Sequence, residues 1–204
     1  MKKNFNKKEL IFFEQEIASY FNEGKIRAPI HLSFGNENQL IKIFKRINNN
    51  DWVFCSWRSH YHALLKNVPE KLIKKKILSG QSISLCFPKY NFYSSAIVGG
   101  ILPIALGVAL SIKKNKEKNK VYCFIGDMTS ETGITYECIK YAINFKLPIH
   151  FIIEDDNRSV CTNTREVWGN KQLVFQKFKN KKFITHYKYT SKYPHSGAGK
   201  RIQF

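Results

Sequence analysis

The sequence predicts an α/β protein, a parallel sheet flanked by helices, and three observations carry that expectation. Residues 121–125 and 149–153 are unbroken apolar runs of strand length, the pattern of strands covered on both faces. Between them Ile134, Cys138, Tyr141, Ala142 and Phe145 fall on one stripe at helical spacing. Of the 204 residues 43% are hydrophobic and 24% charged, enough apolar material for a real core and too much for a disordered tail.

Taken in order, Leu10, Ile11, Phe13, Ile17 and Phe21 mark a helix over residues 8–21, and residues 40–47 repeat the habit after a connector containing Pro and Gly. The run Trp52-Val-Phe-Cys55 reads as a short strand. A His-rich turn follows, and Pro69 opens a basic helix that closes at Gly80. Residues 96–112 are apolar almost throughout, yet barely as long as the shortest membrane spans and interrupted by Gly99, Gly100, Pro103 and Gly107. A buried helix starting near Ala96 is expected there, and no membrane association.

A Lys-rich turn over residues 113–120 leads into the first core strand, which ends at Gly126-Asp127. Thr129 or Ser130 can cap the next helix, Leu147-Pro148 ends it, and strand, helix and strand make one right-handed crossover with its strands parallel. A last strand over residues 183–189 precedes a polar tail with Pro194, His195, Gly197 and Gly199. With no internal repeat and no long linker, a single domain is expected over residues 1–204: a helical part at 1–50, an α/β core at 51–190 and a tail at 191–204.

Lys and Arg number 34 against 15 Asp and Glu, a formal charge of +19 that raises nucleic acid or an anionic membrane as a partner. The charge is mostly Lys, spread with Asn and Ile along the whole length and gathered on no one tail, so nucleic acid is not expected. The five cysteines form an odd set without a Cys-x-x-Cys pair, which argues against a disulfide framework or zinc ribbon and for a reducing compartment. Residues 9–20 mix Glu and Gln with apolar residues, unlike a secretory segment, and a cytoplasmic location is expected.

Ligands of doubly wound sheets bind beyond the carboxyl ends of the strands. Asp127 follows the first core strand, and Glu154, Asp155 and Asp156 follow the second. Two readings stay open. Asp127 and Asp156, with a backbone carbonyl and the oxygens of a bound diphosphate, can complete an octahedron for Mg²⁺. Alternatively, the acids cap helices or face water.

Several ordered segments carry a family resemblance. Residues 126–156, from Gly-Asp-Met to Glu-Asp-Asp, resemble the thiamine-diphosphate motif that starts Gly-Asp-Gly and ends Asn-Asn. Residues 27–37, with His31-Leu and Gly35-Asn-Glu37, are similar to an early His-Leu…Gly-x-Glu segment. Trp57-Arg58-Ser-His60-Tyr-His62 is similar to a Tyr-Arg-Gly-His-Gly-His turn, and Ala96-Ile-Val-Gly99 to a Gly-Ile-Val-Gly helix start. Lys146-Leu-Pro148 adds registry before the second strand. Together these resemble the alpha subunit of the thiamine-diphosphate-dependent 2-oxo acid dehydrogenases, in a short form.

The resemblance implies a transketolase-like thiamine-diphosphate-binding fold and an oxidoreductase acting on a 2-oxo acid, by decarboxylation with transfer or oxidation of the activated aldehyde. Thiamine diphosphate and Mg²⁺ would be the cofactors. Asp127 and Asp156 would be side-chain metal ligands and Arg158 would offer its carbonyl. Trp57 and Arg58 would serve the diphosphate, Arg58 by neutralising it, and Met128 and Thr129 would present backbone N–H groups to it. Ala96 and Val98 would meet the aminopyrimidine ring through the backbone. His31 and His195 would act on the substrate carbonyl, stabilising or protonating its oxygen. His60 and His62 would position the turn that carries Arg58.

Five departures qualify the match. Met128 replaces a Gly, Asp155-Asp156 replaces Asn-Asn, and Trp57 replaces Tyr or His. Ser82-Ile-Ser-Leu85 stands where the dehydrogenases have Ser-Met-His-Met, and the chain is shorter than the family's alpha subunits. A beta-type partner sharing the active site is expected, with a heterotetramer as the assembly. A transketolase-like or acyloin-forming ligase, and a cofactor-free scaffold, are the competing readings.

Overall fold

A computed structural model describes residues 5–169, 171–178 and 181–199. In chain order the helices and strands are α1 (Lys7–Asn22), α2 (Glu37–Phe44), β1 (Trp52–Cys55), α3 (His60–Leu65) and α4 (Glu70–Leu78). There follow β2 (Cys86–Phe87), β3 (Phe92–Ser94), α5 (Ile101–Lys114), β4 (Val121–Gly126), α6 (Asp127–Ser130), α7 (Gly133–Asn144) and β5 (Ile149–Asp155). The last elements are β6 (Arg158–Ser159), β7 (Thr162–Asn163), α8 (Thr164–Trp168) and β8 (Ile184–Lys188). The chain forms two compact units, one comprising the described residues of Met1–Asn49, Trp57–Ala96 and Thr190–Phe204, the other Asn50–Ser56 and Ile97–Tyr189.

The second unit is the sheet unit. Its strands run in the order β1, β4, β5, β8, each neighbouring pair parallel. Both middle strands were legible as apolar runs because both faces are covered: Cys123, Phe124, Ile125, Phe151, Ile152 and Ile153 have no exposed surface. β5 runs two residues further than the apolar pattern, to Asp155. Helix α5 packs on α7 and on β4. It begins at Ile101, five residues later than the apolar composition suggested, because Gly99 takes φ +74° and keeps residues 96–100 out of the helix. Among the described residues no helix is long and apolar enough to cross a membrane.

The stripe expected on α7 is rotated. Thr135, Cys138, Ile139 and Ala142 are buried, whereas Ile134, Tyr141 and Phe145 are exposed. The cap also differs: residues 127–130 form the separate turn α6, and Thr132 is the N-cap of α7, its hydroxyl donating to the Thr129 carbonyl at 2.7 Å.

The first unit is the helical unit. Asn6 opens α1 with a capping box, its side chain accepting from the Glu9 N–H at 3.0 Å while the Glu9 carboxylate accepts from the Asn6 N–H at 2.8 Å. Pro69 is the N-cap of α4 rather than its first helical residue. The His-rich turn is the helix α3, every residue of it buried, and β2 and β3 form a short antiparallel pair absent from the sequence reading.

Glycine positions in the sheet unit separate strain from propensity. A Cβ on Gly99 would lie 2.8 Å from Ile134 Cγ2, on top of the positive φ. Gly107, inside α5, has nothing within 4 Å of that position. Gly99→Ala is expected to destabilise the protein by about 1–3 kcal/mol. Gly107→Ala should stabilise it by about 0.5–1 kcal/mol. Chemical denaturation of the two variants checks the opposite signs.

Candidate active site

The sheet unit brings its acids together by register. Gly126 is paired with Glu154 across β4 and β5, so Asp127 and residues 155–156 leave adjacent parallel strands at one level. Such strands lie about 4.8 Å apart. Asp127 is completely buried, and among the described residues neither carboxylate oxygen has a hydrogen-bond partner in good geometry. Burial pushes its carboxyl up to about 6; the Thr164 hydroxyl offsets this in part, and the charges of Asp156 and Asp155 add to it.

The two acids at the end of β5 have different surroundings. Asp155 is buried in an ion cluster: Arg165 reaches it with both terminal nitrogens at 3.0 and 2.6 Å, and His186 Nε2 lies 2.8 Å from Oδ2. Burial alone would raise its carboxyl, but the hydrogen bonds from His186 and Arg165 prevail and hold it well below the usual carboxylate range. Asp156 is half-buried, and its Oδ1 accepts the Arg158 N–H at 3.3 Å. Both acids raise Asp127 electrostatically, Asp156 more than Asp155.

Met128 and Thr129 sit in the first turn of α6, where N–H groups lack intrahelical acceptors. The helical backbone of Met128 has no need of the glycine that the motif carries there. Its sulfur accepts the Trp168 indole N–H at 3.0 Å. Arg158 opens β6, the first strand of a two-stranded hairpin with β7. Val98 is exposed in the segment before α5, and so is Ala96 at the end of the helical unit. Among the described residues no group of three or more His, Cys, Asp or Glu side chains is placed to hold a metal ion by itself. A cation here would need oxygens beyond the two carboxylates, as Mg²⁺ commonly takes from phosphate and water.

The helical unit assembles the other group. His31 and His195 lie with ring centroids 4.5 Å apart and planes tilted by 58°, and Trp57 lies 5.9 Å from His31 and 6.1 Å from His195. The tail is held there by the Gly197 N–H on the Ile30 carbonyl at 3.0 Å and by a parallel bridge between His31 and Gly197. His31 Nδ1 bonds the His195 carbonyl, so Nδ1 carries the hydrogen and Nε2 the lone pair. Burial lowers His31 to about 4; the His195 carbonyl opposes the shift, while the nearby charges of His195 and Arg58 add to it. His31 is thus a neutral imidazole at pH 7, its Nε2 lone pair free to accept a hydrogen bond. Arg58 is half-buried beside this cluster.

Arg165, His186 and Glu14 carry contacts that the sequence reading missed. Arg165 and His186 meet Asp155 only through the fold, and no local pattern announces them. Glu14 had a visible signal: it sits on the apolar stripe of α1 between Phe13 and Ile17, where a polar residue is out of place.

A family model described as "Dehydrogenase E1 component" matches residues 7–175. The chain is 28% identical over 165 residues to the pyruvate dehydrogenase E1 component subunit alpha of Porphyra purpurea, covering 72% of this chain and 48% of that protein. It is 28% identical over 178 residues to the pyruvate dehydrogenase E1 component subunit alpha-3, chloroplastic, of Arabidopsis thaliana, covering 76% and 42%. With the pyruvate dehydrogenase E1 component subunit alpha of Rickettsia prowazekii (strain Madrid E) the identity is 29% over 161 residues, covering 74% and 49%. The chain spans about half the length of the curated relatives it matches.

The raised Asp127 has a consequence for stability without ligands. Its folded value, about 6, lies above the unfolded 3.8, so its contribution is fully present below pH 3.8 and lost as pH rises through 6. A shift of this size corresponds to about 3 kcal/mol at most. Asp127→Asn should therefore be more stable than the parent at pH 7.5 in chelator, by about 1–3 kcal/mol, with the gain vanishing below pH 4. Thermal unfolding at the two pH values checks this.

Proposed function

The chain belongs to the dehydrogenase E1 component family, and from that premise we propose that it is the alpha-type subunit of a thiamine-diphosphate-dependent 2-oxo acid dehydrogenase, acting with a beta-type chain in a heterotetramer. One observation carries the reading: a fully buried aspartate, Asp127, whose two oxygens lack partners in good geometry, next to the charge of Asp156. A buried carboxylate left in this state is costly, and a hard cation would relieve it. The donor set is all oxygen, which suits Mg²⁺.

In this reading Asp127 and Asp156 hold Mg²⁺ through their side chains and Arg158 through its carbonyl. The first-turn N–H groups of Met128 and Thr129 would donate to the diphosphate oxygens, and Arg58, with Trp57 beside it, would serve its charge. The backbone of Ala96 and Val98 meets the aminopyrimidine. When bound, thiamine diphosphate would supply a carbon nucleophile for the substrate carbonyl. His31, neutral and with its lone pair on Nε2, accepts a hydrogen bond there. His31 and His195 together line the place proposed for the substrate carbonyl, whose oxygen they would stabilise or protonate. Of the two carboxylates that replace the family's Asn-Asn pair, Asp155 is met by the Arg165 guanidinium and by His186, and Asp156 is the proposed metal ligand.

The five cysteines, all free thiols, support a cytoplasmic or similarly reducing setting. The acyloin-forming or transketolase-like reading has one observation in its favour. Ser84, exposed in its loop, stands where the dehydrogenases carry a histidine.

Calorimetry on the two-chain complex tests the proposal. Mg²⁺ with thiamine diphosphate should bind to the parent complex, and Asp127→Ala or Asp156→Ala should lower the affinity by at least about tenfold, near 1.4 kcal/mol. Acceptor-dependent oxidation of a 2-oxo acid would then identify the dehydrogenase and carbon–carbon ligation the alternative. Absence of binding heat and of thermal shift in the parent complex would overturn both and leave a scaffold.

A further inference from the structure

We propose that Glu14, a fully buried acid on α1, is a positioning residue that sets His31 and Arg58 relative to each other in the helical unit. The proposal rests on the reading above, in which those two side chains serve substrate and cofactor. Three segments meet on Glu14. Its Oε2 accepts the Ser33 N–H at 2.7 Å, two residues beyond His31. Its Oε1 lies 3.3 Å from Nδ1 of His60, two residues beyond Arg58, a buried contact outside hydrogen-bond geometry that becomes an ion pair when the imidazole is protonated. His60 Nε2 in turn lies 2.8 Å from the Ser82 hydroxyl, so the chain of contacts continues into the 82–85 loop. Glu14, His60 and Ser82 have no exposed surface and Ser33 almost none.

A second buried acid repeats the arrangement on the same two segments. Glu37 Oε1 accepts the Gly35 N–H at 2.8 Å and lies 3.4 Å from the Tyr61 hydroxyl. Segment 33–35 and segment 60–61 are thus each tied twice, once to α1 and once to α2. Such double ties are not needed to bury α1, whose stripe of Leu10, Phe13, Ile17 and Phe21 would accept an apolar residue at position 14. What a carboxyl group adds there is direction on the Ser33 side, through a hydrogen bond at Oε2, and a polar contact with His60 at Oε1, where an apolar side chain would let both segments slide. Placement matters at such a site, since a displacement of about 1 Å can cost about a hundredfold in rate.

The test uses the full chain, free for spectroscopy and with its beta-type partner for binding. Glu14→Leu removes both ties while filling the stripe; Glu14→Gln keeps an acceptor for the Ser33 N–H. In the Leu variant, at temperatures where it is folded, the imidazole NMR signals of both His31 and His60 should move. Affinity of the complex for Mg²⁺ with thiamine diphosphate should fall about tenfold or more, and the Gln variant should recover to within about threefold of the parent. A folded Leu variant with unmoved His31 signals overturns the proposal. If the Leu variant does not fold, Ser82→Ala decides, because it loosens only the far end of His60: moved His60 signals with weaker binding support the proposal, and unchanged values of both overturn it. A parent complex that binds no thiamine diphosphate, with His31 still responding to Glu14→Leu, would end the cofactor reading and leave the positioning role standing.

Discussion

Parallel pairing of β4 with β5 in the register Gly126 to Glu154 is the constraint on which the proposed chemistry depends. Side chains alternate along a strand, so a slip of one residue would turn each core position toward the opposite face. The register is held because Cys123, Phe124 and Ile125 on one strand and Phe151, Ile152 and Ile153 on the other all lose their surface to the core. That same pairing delivers Asp127 and Asp156 to one end of the sheet. Apolar burial, which carries no information about ligands, thus decides where two carboxylates meet.

The helical unit solves a related problem with polar groups. His31 is fixed from one side by the carbonyl of His195, and its segment from the other by Glu14 through Ser33. Each contact is made out of water, where a hydrogen bond is electrostatically stronger and an unmade one costs more. The result is an imidazole with a defined tautomer. A histidine in open solvent would exchange tautomers and titrate near 6.5; His31 does neither freely, because burial disfavours its cation and the His195 carbonyl selects the Nδ1 hydrogen.

How much of this the sequence disclosed follows from the range of the interactions involved. β4 and β5 were legible because strands covered on both faces are written as continuous apolar runs. The buried face of α7 was not, since Ile134, Tyr141 and Phe145 are apolar yet exposed, while Thr135 is polar and buried with its hydroxyl on the Thr129 carbonyl at 2.7 Å. The His-rich segment 60–65 read as a turn because all six residues are buried, leaving no polar face to mark a helical period. At the candidate site, Asp127 and Asp156 were visible as acids at strand ends. The partners of Asp155 were not: Arg165 is ten residues away and His186 thirty-one, and only the folded sheet brings them to it.

Those partners answer the objection that the Asp155-Asp156 pair raises. Two adjacent carboxylates beside a third would crowd negative charge at the very point where a diphosphate has to approach. The structure divides the pair by environment. Asp155 turns to Arg165 and His186 and is held ionised by them, while the Arg165 guanidinium also lies within electrostatic reach of Asp127 and Glu131. The acid that replaces the first Asn of the motif therefore comes with its own counter-charge. In the proposed site the cation would take Asp127 and Asp156 as its side-chain ligands, and one Mg²⁺ would balance two carboxylates. Attraction for a diphosphate must then come from groups other than the cation, the part proposed for the backbone N–H groups in the first turn of α6.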